Sequence, residues 1–394
     1  MKFKSTINVF SELLNLVTPI VPQKSTILVL QYLHFELVGN ELKVMATNDE
    51  ISILTKIEVE GEQDGAILFP AKKLSEIIKL LGKDTEIVIS ADLEIYEITL
   101  KYNKGKFKFK GIDPLEYVDV GNLFDKPMID VSNLSQEIAK GELVAKLNSG
   151  MIQNICERTL FAVSTEEYKL SMTGVLFQFR SNQLITAATD GYRLNKYTIT
   201  LDETTFPELF DVIIPAHSLE FLKKINSDMV MSVIREDESP KYLRFEFHNT
   251  IFTTRIISEK YPPYETIIPL EYQYKVFAPL NEMVNTIKRV SLSANDISKL
   301  VILQFKDNII TATSQDEESG ESAEESLPCE MSFDSFEIGV NYNYFLQSLQ
   351  HLYYEGEQED VVEIRFNDPL KAFVICPKDQ YDIFLMLNMP VRYK

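Results

Sequence analysis

Four histidines (His34, His217, His248 and His351), three cysteines (Cys156, Cys329 and Cys376) and Asp190 in "ATDGYRL" are the residues of this 394-residue chain whose types could do chemistry. Histidine would supply a base or a metal ligand, cysteine a nucleophile or zinc ligand, and aspartate a metal ligand. Their spacing supports none of these. The chain has no His-Glu-x-x-His, no paired Cys-x-x-Cys, no Gly-Lys-Ser phosphate loop and no Gly-x-Ser-x-Gly elbow. Asp-Gly is a common hairpin dipeptide, so Asp190-Gly191 reads first as a turn between strands. The expectation is a chain with no catalytic residue, no metal and no cofactor, and so not an enzyme.

The elements around these residues repeat. "KVMATNDEISI", "ITAATDGYRLNKY" and "IITATSQDEES" place Ala46, Ala188 and Ala312 at separations of 142 and 124 residues. A second landmark is a strand, a break and an amphipathic helix: "ILFPAKKLSEIIKLL", "VIIPAHSLEFLKKI" and "EIGVNYNYFLQSLQHL". Its breaks, Pro70, Pro215 and Asn341, stand 145 and 126 apart, nearly the same offsets. A helix with apolar residues at three- and four-residue spacing precedes each Ala-Thr strand pair: "INVFSELLNLV", "GMIQNICERTLFAV" and "LNEMVNTIKRVSL". Alternating strands follow each second helix. The fold class is therefore α+β, three tandem copies of a two-helix, antiparallel-sheet domain, at about 1–125, 126–272 and 273–394. Extra material at about 128–147 lengthens the first offset. "GYRL" occurs only in the middle copy, so the repeat fold does not require it.

Composition bounds the function. The chain is long enough for two or three cores, and no run of about 18 apolar residues suggests a membrane span. The polar start "MKFKSTINVFSELL" lacks a signal peptide's apolar centre. Three scattered cysteines suggest a reducing, cytoplasmic setting. A formal charge of −20 argues against one broad basic surface for nucleic acid.

In order and spacing, "FAVSTEE", "TGVLF", "ATDGYRL", "VIIPAHSL", "YPPYETIIP" and the terminal "MPVR" resemble the bacterial β sliding clamp family, the processivity factors of replicative DNA polymerase. The resemblance covers essentially the whole chain. It implies a head-to-tail homodimer forming a closed ring, with helices lining the hole and sheets outside. Such a ring would encircle double-stranded DNA without reading sequence, and topological retention would answer the charge objection, because a few hole-facing cations suffice. The candidates are Lys72, Lys73, Lys79, Lys223, Lys224, Lys288 and Arg289, with Lys24 at a loop position that touches DNA in the family.

The resemblance also implies a groove between the second and third domains. It would receive short linear peptides from the replicative polymerase, the clamp loader and repair proteins. Carried over by motif, it comprises Met172, Thr189, Gly191, Tyr192, Arg193, Leu194, Pro262, Thr266, Ile267, Tyr344, Leu387, Met389, Pro390, Val391, Arg392 and Tyr393. Leu194, Ile267 and Val391 are expected to bury a partner's apolar side chain, with Arg193 and Arg392 serving the polar rim or the peptide's backbone carbonyls. An apolar chain terminus is itself unusual. The chain departs from the family at Asn388 (usually aliphatic), Thr266 (arginine in some members), Lys394 (beyond the usual end), "EYKLSM" in place of an Arg-Pro step before "TGV", and "TILVL" for "TIPIL". These changes bear on partner preference more than on fold. An accessory clamp with another partner set, or a repeat scaffold that does not bind DNA, are the competing functions.

"KGKFKFKG" alternates Lys104, Lys106, Lys108 and Lys110 with Phe107 and Phe109, so a strand would carry lysines on one face and aromatics on the other. "QDEESGESAEES", with Glu317 and Glu318, is the strongest acidic run. The family's ring joins first and third domains of different chains. Phe107 and Phe109 are thus expected between chains, with Lys106 near Glu317 and Glu318 of the other copy.

Overall fold

The computed structural model describes residues 1–120, 123–129, 144–180, 182–201, 209–237, 239–352 and 360–393. All strand pairing among them is antiparallel, as the alternating patterns predict. Most of the extra segment expected at 128–147 lies outside the described residues. Its last part, Val144–Leu147, is a strand on Met229–Glu236.

Two compact units form, and they do not coincide with the three copies: Met1–Gly150 with Lys224–Ile256, and Met151–Lys223 with Ile257–Lys394. The middle copy gives its two helices and the strands between them to the second unit, and Val144–Leu147 with the strands from Met229 to Arg255 to the first.

In the first unit, the strand Thr250–Arg255 of the middle copy pairs with Ile51–Glu58 of the first, making one eight-stranded sheet. Thr55 and Thr250 face each other there, with hydroxyls 2.8 Å apart. A five-stranded sheet ends in the lysine-rich strand Gly105–Lys110, at its edge. Helices Ile7–Val17 and Ala71–Leu80 pack together. Phe3, Phe10, Phe35 and Phe69 join them to the strands as a chain of buried rings. At roughly 25 cal/mol per Å² of apolar area, these rings and the buried Ile, Leu and Val around them hold the unit together.

The second unit repeats this logic. Strand Arg193–Thr200 of the middle copy pairs with Phe384–Asn388 of the third, inside a nine-stranded sheet. A four-stranded sheet carries the acidic strand Glu321–Pro328 at its edge. Helices Met151–Thr159 and Ala216–Leu222 pack as a pair, as do Leu280–Val290 and Tyr342–Gln350.

The expected breaks start the second helix of each copy. Pro70 and Pro215 end their strands and precede Ala71 and Ala216, because proline donates nothing to a ladder yet tolerates a helix start. At the third copy Asn341 does the same work with its side chain, whose carbonyl accepts from the N–H groups of Asn343 (3.0 Å) and Tyr344 (3.3 Å).

Candidate functional site: a turn, a tail and the helix between them

The turn after strand Gln183–Thr189 is built by its own side chains. Gly191 has φ +93°, a conformation that disfavours a Cβ. Asp190 Oδ1 accepts from the backbone N–H of Tyr192 (2.9 Å) and Arg193 (3.0 Å). Thr189 Oγ1 accepts from Gly191 N–H (3.1 Å) and donates to the Arg193 carbonyl (2.6 Å). Asp190 Oδ2 then takes Arg193 Nε at 3.1 Å. Both Asp190 oxygens are thus committed to the turn, as its Asp-Gly sequence predicts.

Arg193, expected at the polar rim or on a peptide's backbone carbonyls, is 7% exposed. Its guanidinium donates to Gln347 Oε1 and to the Phe161 carbonyl. It also lies 5.2 Å from the Phe161 ring centroid and 4.8 Å from that of Tyr344. Burial depresses its pKa and Asp190 opposes the shift, so the planar cation is held by its own partners. It ties the turn to the 3-10 turn Leu160–Ala162 and to helix Tyr342–Gln350.

Leu194 and Leu387 are expected as groove lining. They face each other across paired strands and are 0% and 1% exposed. With Leu176, Ala187, Tyr261, Tyr264 and Val374 they form one apolar cluster, so they support the surface from beneath. Tyr264 anchors the helical turn Tyr264–Ile267 to that cluster, while its OH donates to Gln178 Oε1 at 2.7 Å. Thr266 and Ile267 face outward on this turn and Pro262 is half-buried beside it.

The tail docks through its backbone. Met389 N–H donates to the Tyr192 carbonyl (2.9 Å), and Val391 N–H to the Gly339 carbonyl (2.8 Å). Gly339 carries the approach: a Cβ there would sit 2.6 Å from both Tyr393 Cδ1 and the Val391 carbonyl oxygen. Tyr393 OH donates to Glu337 Oε1 at 2.7 Å. Asn388 is 2% exposed and donates to Ser348 Oγ at 3.0 Å, joining the last strand to helix Tyr342–Gln350. Tyr192 (55% exposed) stacks on half-buried Tyr344 at 5.9 Å and 19°. Ile267 and Met389 are 50% and 44% exposed, Arg392 is exposed, and Met172, Pro390 and Val391 are half-buried. Exposed apolar side chains held by a fixed backbone can take apolar residues of a ligand.

Sequence reasoning missed Phe161, Gln347 and Lys169. Lys169 sits in the departing "EYKLSM" segment, 2.5 Å from Glu166 and over the rings of Tyr168 (5.5 Å) and Tyr192 (5.9 Å). Glycine inside the strand Ser335–Asn341 was a readable signal of close backbone approach.

Of the expected DNA-facing cations, Lys24, Lys72, Lys73, Lys79, Lys224 and Lys288 are exposed. Lys73 lies 3.5 Å from Glu76. Lys223 is half-buried, and it and Lys224 follow helix Ala216–Leu222, not on it. Arg289 is exposed but gripped by Glu325, which accepts from its Nε at 2.8 Å and from Nη2. Its charge is locally neutralised.

On the edge strand Gly105–Lys110, Phe107 is 38% exposed and Phe109 half-buried against Phe69 at 5.5 Å. Lys106 and Lys108 are exposed, and Lys108 lies 2.5 Å from Glu97. Glu317 and Glu318 are exposed between Ile309–Asp316 and the edge strand Glu321–Pro328.

A fold of helix pairs on antiparallel sheets, written three times, is that of a sliding clamp. Three family profiles match in succession, described as the N-terminal (1–120), central (146–263) and C-terminal (265–392) domains of the DNA polymerase III beta subunit. A beta sliding clamp of Staphylococcus aureus is 27% identical over 402 residues, covering 100% of this chain and 99% of that protein. The sliding clamp of Bacillus subtilis superimposes with a TM-score of 0.87 at 24% identity, and the polymerase beta subunit of Streptococcus pyogenes with 0.85 at 23%. Each covers both chains completely. This chain belongs to the DNA polymerase III beta subunit family, the bacterial sliding clamps.

Proposed function

We propose that two copies of this chain close head to tail into a ring around duplex DNA. The ring holds partner proteins through a peptide groove framed by the turn Asp190–Tyr192 and the tail 389–393. The domains would span about 1–125, 126–272 and 273–394. The observation that carries the groove is the turn–tail backbone link, Met389 N–H to the Tyr192 carbonyl. It fixes exposed Tyr192 and Met389 beside each other on a buried apolar floor. The chain then acts by tethering, not by catalysis, consistent with Asp190 being spent on its turn.

Ring closure would join the strand Gly105–Lys110 of one copy to Glu321–Pro328 of the other. Both are edge strands of their sheets, one lysine-rich and one glutamate-rich, and an edge strand is a template for pairing with another chain. Exposed charge pairs contribute only ~0–1 kcal/mol each, so Phe107 and Phe109 supply most of the affinity and the charges set register and salt sensitivity. Lys24, Lys72, Lys79, Lys224 and Lys288 are the cations free to meet phosphate. An accessory clamp with its own partner set is the second reading, favoured by the Tyr168–Lys169–Tyr192 arrangement and by Asn388.

The test of the groove is fluorescence polarisation with a glutamine-leucine-phenylalanine type peptide. Deleting 389–394 should abolish binding while the dimer persists in sedimentation. Undiminished affinity after the deletion would refute the groove. Leu194→Asp is not a useful probe, because Leu194 belongs to the buried cluster.

A further inference from the structure

We propose that the outer face of the third copy's four-stranded sheet holds a subsite for a lysine or arginine side chain, contributed by the same peptide that occupies the groove. The proposal rests on the groove reading. A concavity of about 460 Å³ opens on this sheet, with Leu300 and Ile302 in its floor and Thr313 beside them. Strand register explains its composition. Ile302, Thr313 and Glu324 lie directly across from one another on three adjacent strands, so they share one face. The alternate residues Val301, Leu303 and Ala312 point to the core.

The tail makes one wall. Gly339 pairs with Ile302 across the sheet, and its missing Cβ lets the Tyr393 ring cross the outer face. The bond from Tyr393 OH to Glu337 fixes that ring. Val391 in the groove and Tyr393 in the concavity are therefore two residues apart on one docked strand of chain. A peptide running along Val391 reaches the concavity within a few extended residues, at ~3.3 Å each.

The electrostatics select the occupant. Among the described residues lining the concavity, Glu317 and Glu324 carry carboxylates and none carries an amine or guanidinium. Apolar floor with acidic rim suits a long aliphatic stem ending in a cation, which buries its methylenes and leaves its charge at the carboxylates. The concavity lies on the sheet face, whereas the backbone groups proposed to join two copies point sideways from the edge of Glu321–Pro328. Glu324 lies on that face and is open to the peptide, while Glu317, in the turn before the edge strand, is shared with the contact expected to Lys106 of the other copy.

The test uses the full-length dimer and fluorescence polarisation. A core peptide is compared with versions bearing two lysines, or two glutamates, at either end, through serine spacers of zero to four residues. The expected result is that one lysine-bearing peptide binds ~3–10-fold more tightly than the core, with the gain lost at high salt. Glu324→Gln should remove that gain and leave core affinity unchanged. No gain at any spacing overturns the subsite. So does a gain that survives Glu324→Gln, since the field of a chain with charge −20 would then explain it. Glu324→Gln that weakens the dimer and spares the gain would assign the concavity to the contact between copies, also overturning it. Failure of the core peptide itself to bind would instead sink the groove reading beneath.

Discussion

Replacing Gly339 by alanine adds one methyl group where the tail crosses the third copy's sheet. Gly339 is not among the residues with positive φ, so alanine brings no backbone strain of its own. Its Cβ would stand 2.6 Å from the Val391 carbonyl oxygen and from Tyr393 Cδ1, and 3.0 Å from Leu300 Cδ1. Two of these three atoms belong to the tail, which has fewer anchors than the sheet, so the tail should give way. Displacement costs the Val391–Gly339 hydrogen bond and the Tyr393–Glu337 bond, each ~0.5–1.5 kcal/mol net, and part of the Tyr393 ring's packing. For a peptide in the groove the consequence is loss of Val391 as a wall. A fully buried apolar side chain is worth ~1.5–3 kcal/mol, so peptide affinity should fall about 10–100-fold. Fluorescence polarisation reads the affinity, and hydrogen exchange at Val391 reads whether the tail has left. Affinity within twofold of the parent, with Val391 deprotected, would refute the claim that the tail forms a wall.

Arg193→Lys should fail to preserve the groove, weakening peptide binding by ~10-fold or more. One ammonium cannot replace a planar fork bonded to Asp190, Gln347 and Phe161 between two rings; parental affinity in the lysine variant would show that charge alone matters. Phe107→Asp should shift the dimer toward monomer in sedimentation while the circular dichroism spectrum stays unchanged. Phe109 is the poorer probe because it also packs on Phe69. Burial pushes the thiols of Cys156 and Cys376 up to about 12 and that of Cys329 to about 11. Below those values the native protein holds protonated, covered thiols. Alkylation at pH 8 should therefore be slow until denaturant is added, and rapid labelling of native protein would contradict their placement.

What the sequence made legible was local. Helix starts could be read because Pro70, Pro215 and Asn341 act on their own neighbours. The alternation in "KGKFKFKG" could be read because a strand's side chains switch faces at every residue. The turn at Asp190-Gly191 could be read for the same reason, its bonds spanning two or three residues. The fate of Arg193 could not, because its burial depends on Phe161 and Gln347, 32 and 154 positions away. The resemblance places Leu194 and Leu387 in the groove, but that they pack against each other depends on the pairing of a middle-copy strand with the last strand of the third copy. Likewise Arg289 met Glu325, 36 positions on, only through the packing of its helix against the acidic edge strand.

The central claim is topological, and retention on DNA tests it most directly. The dimer is loaded onto nicked circular plasmid and passed over a gel-filtration column, before and after a restriction enzyme linearises the DNA. A ring should travel with the circle at salt concentrations that abolish ordinary phosphate contacts, and should be lost once ends are available. Equal loss from circular and linear DNA, or equal retention on both, would contradict encirclement.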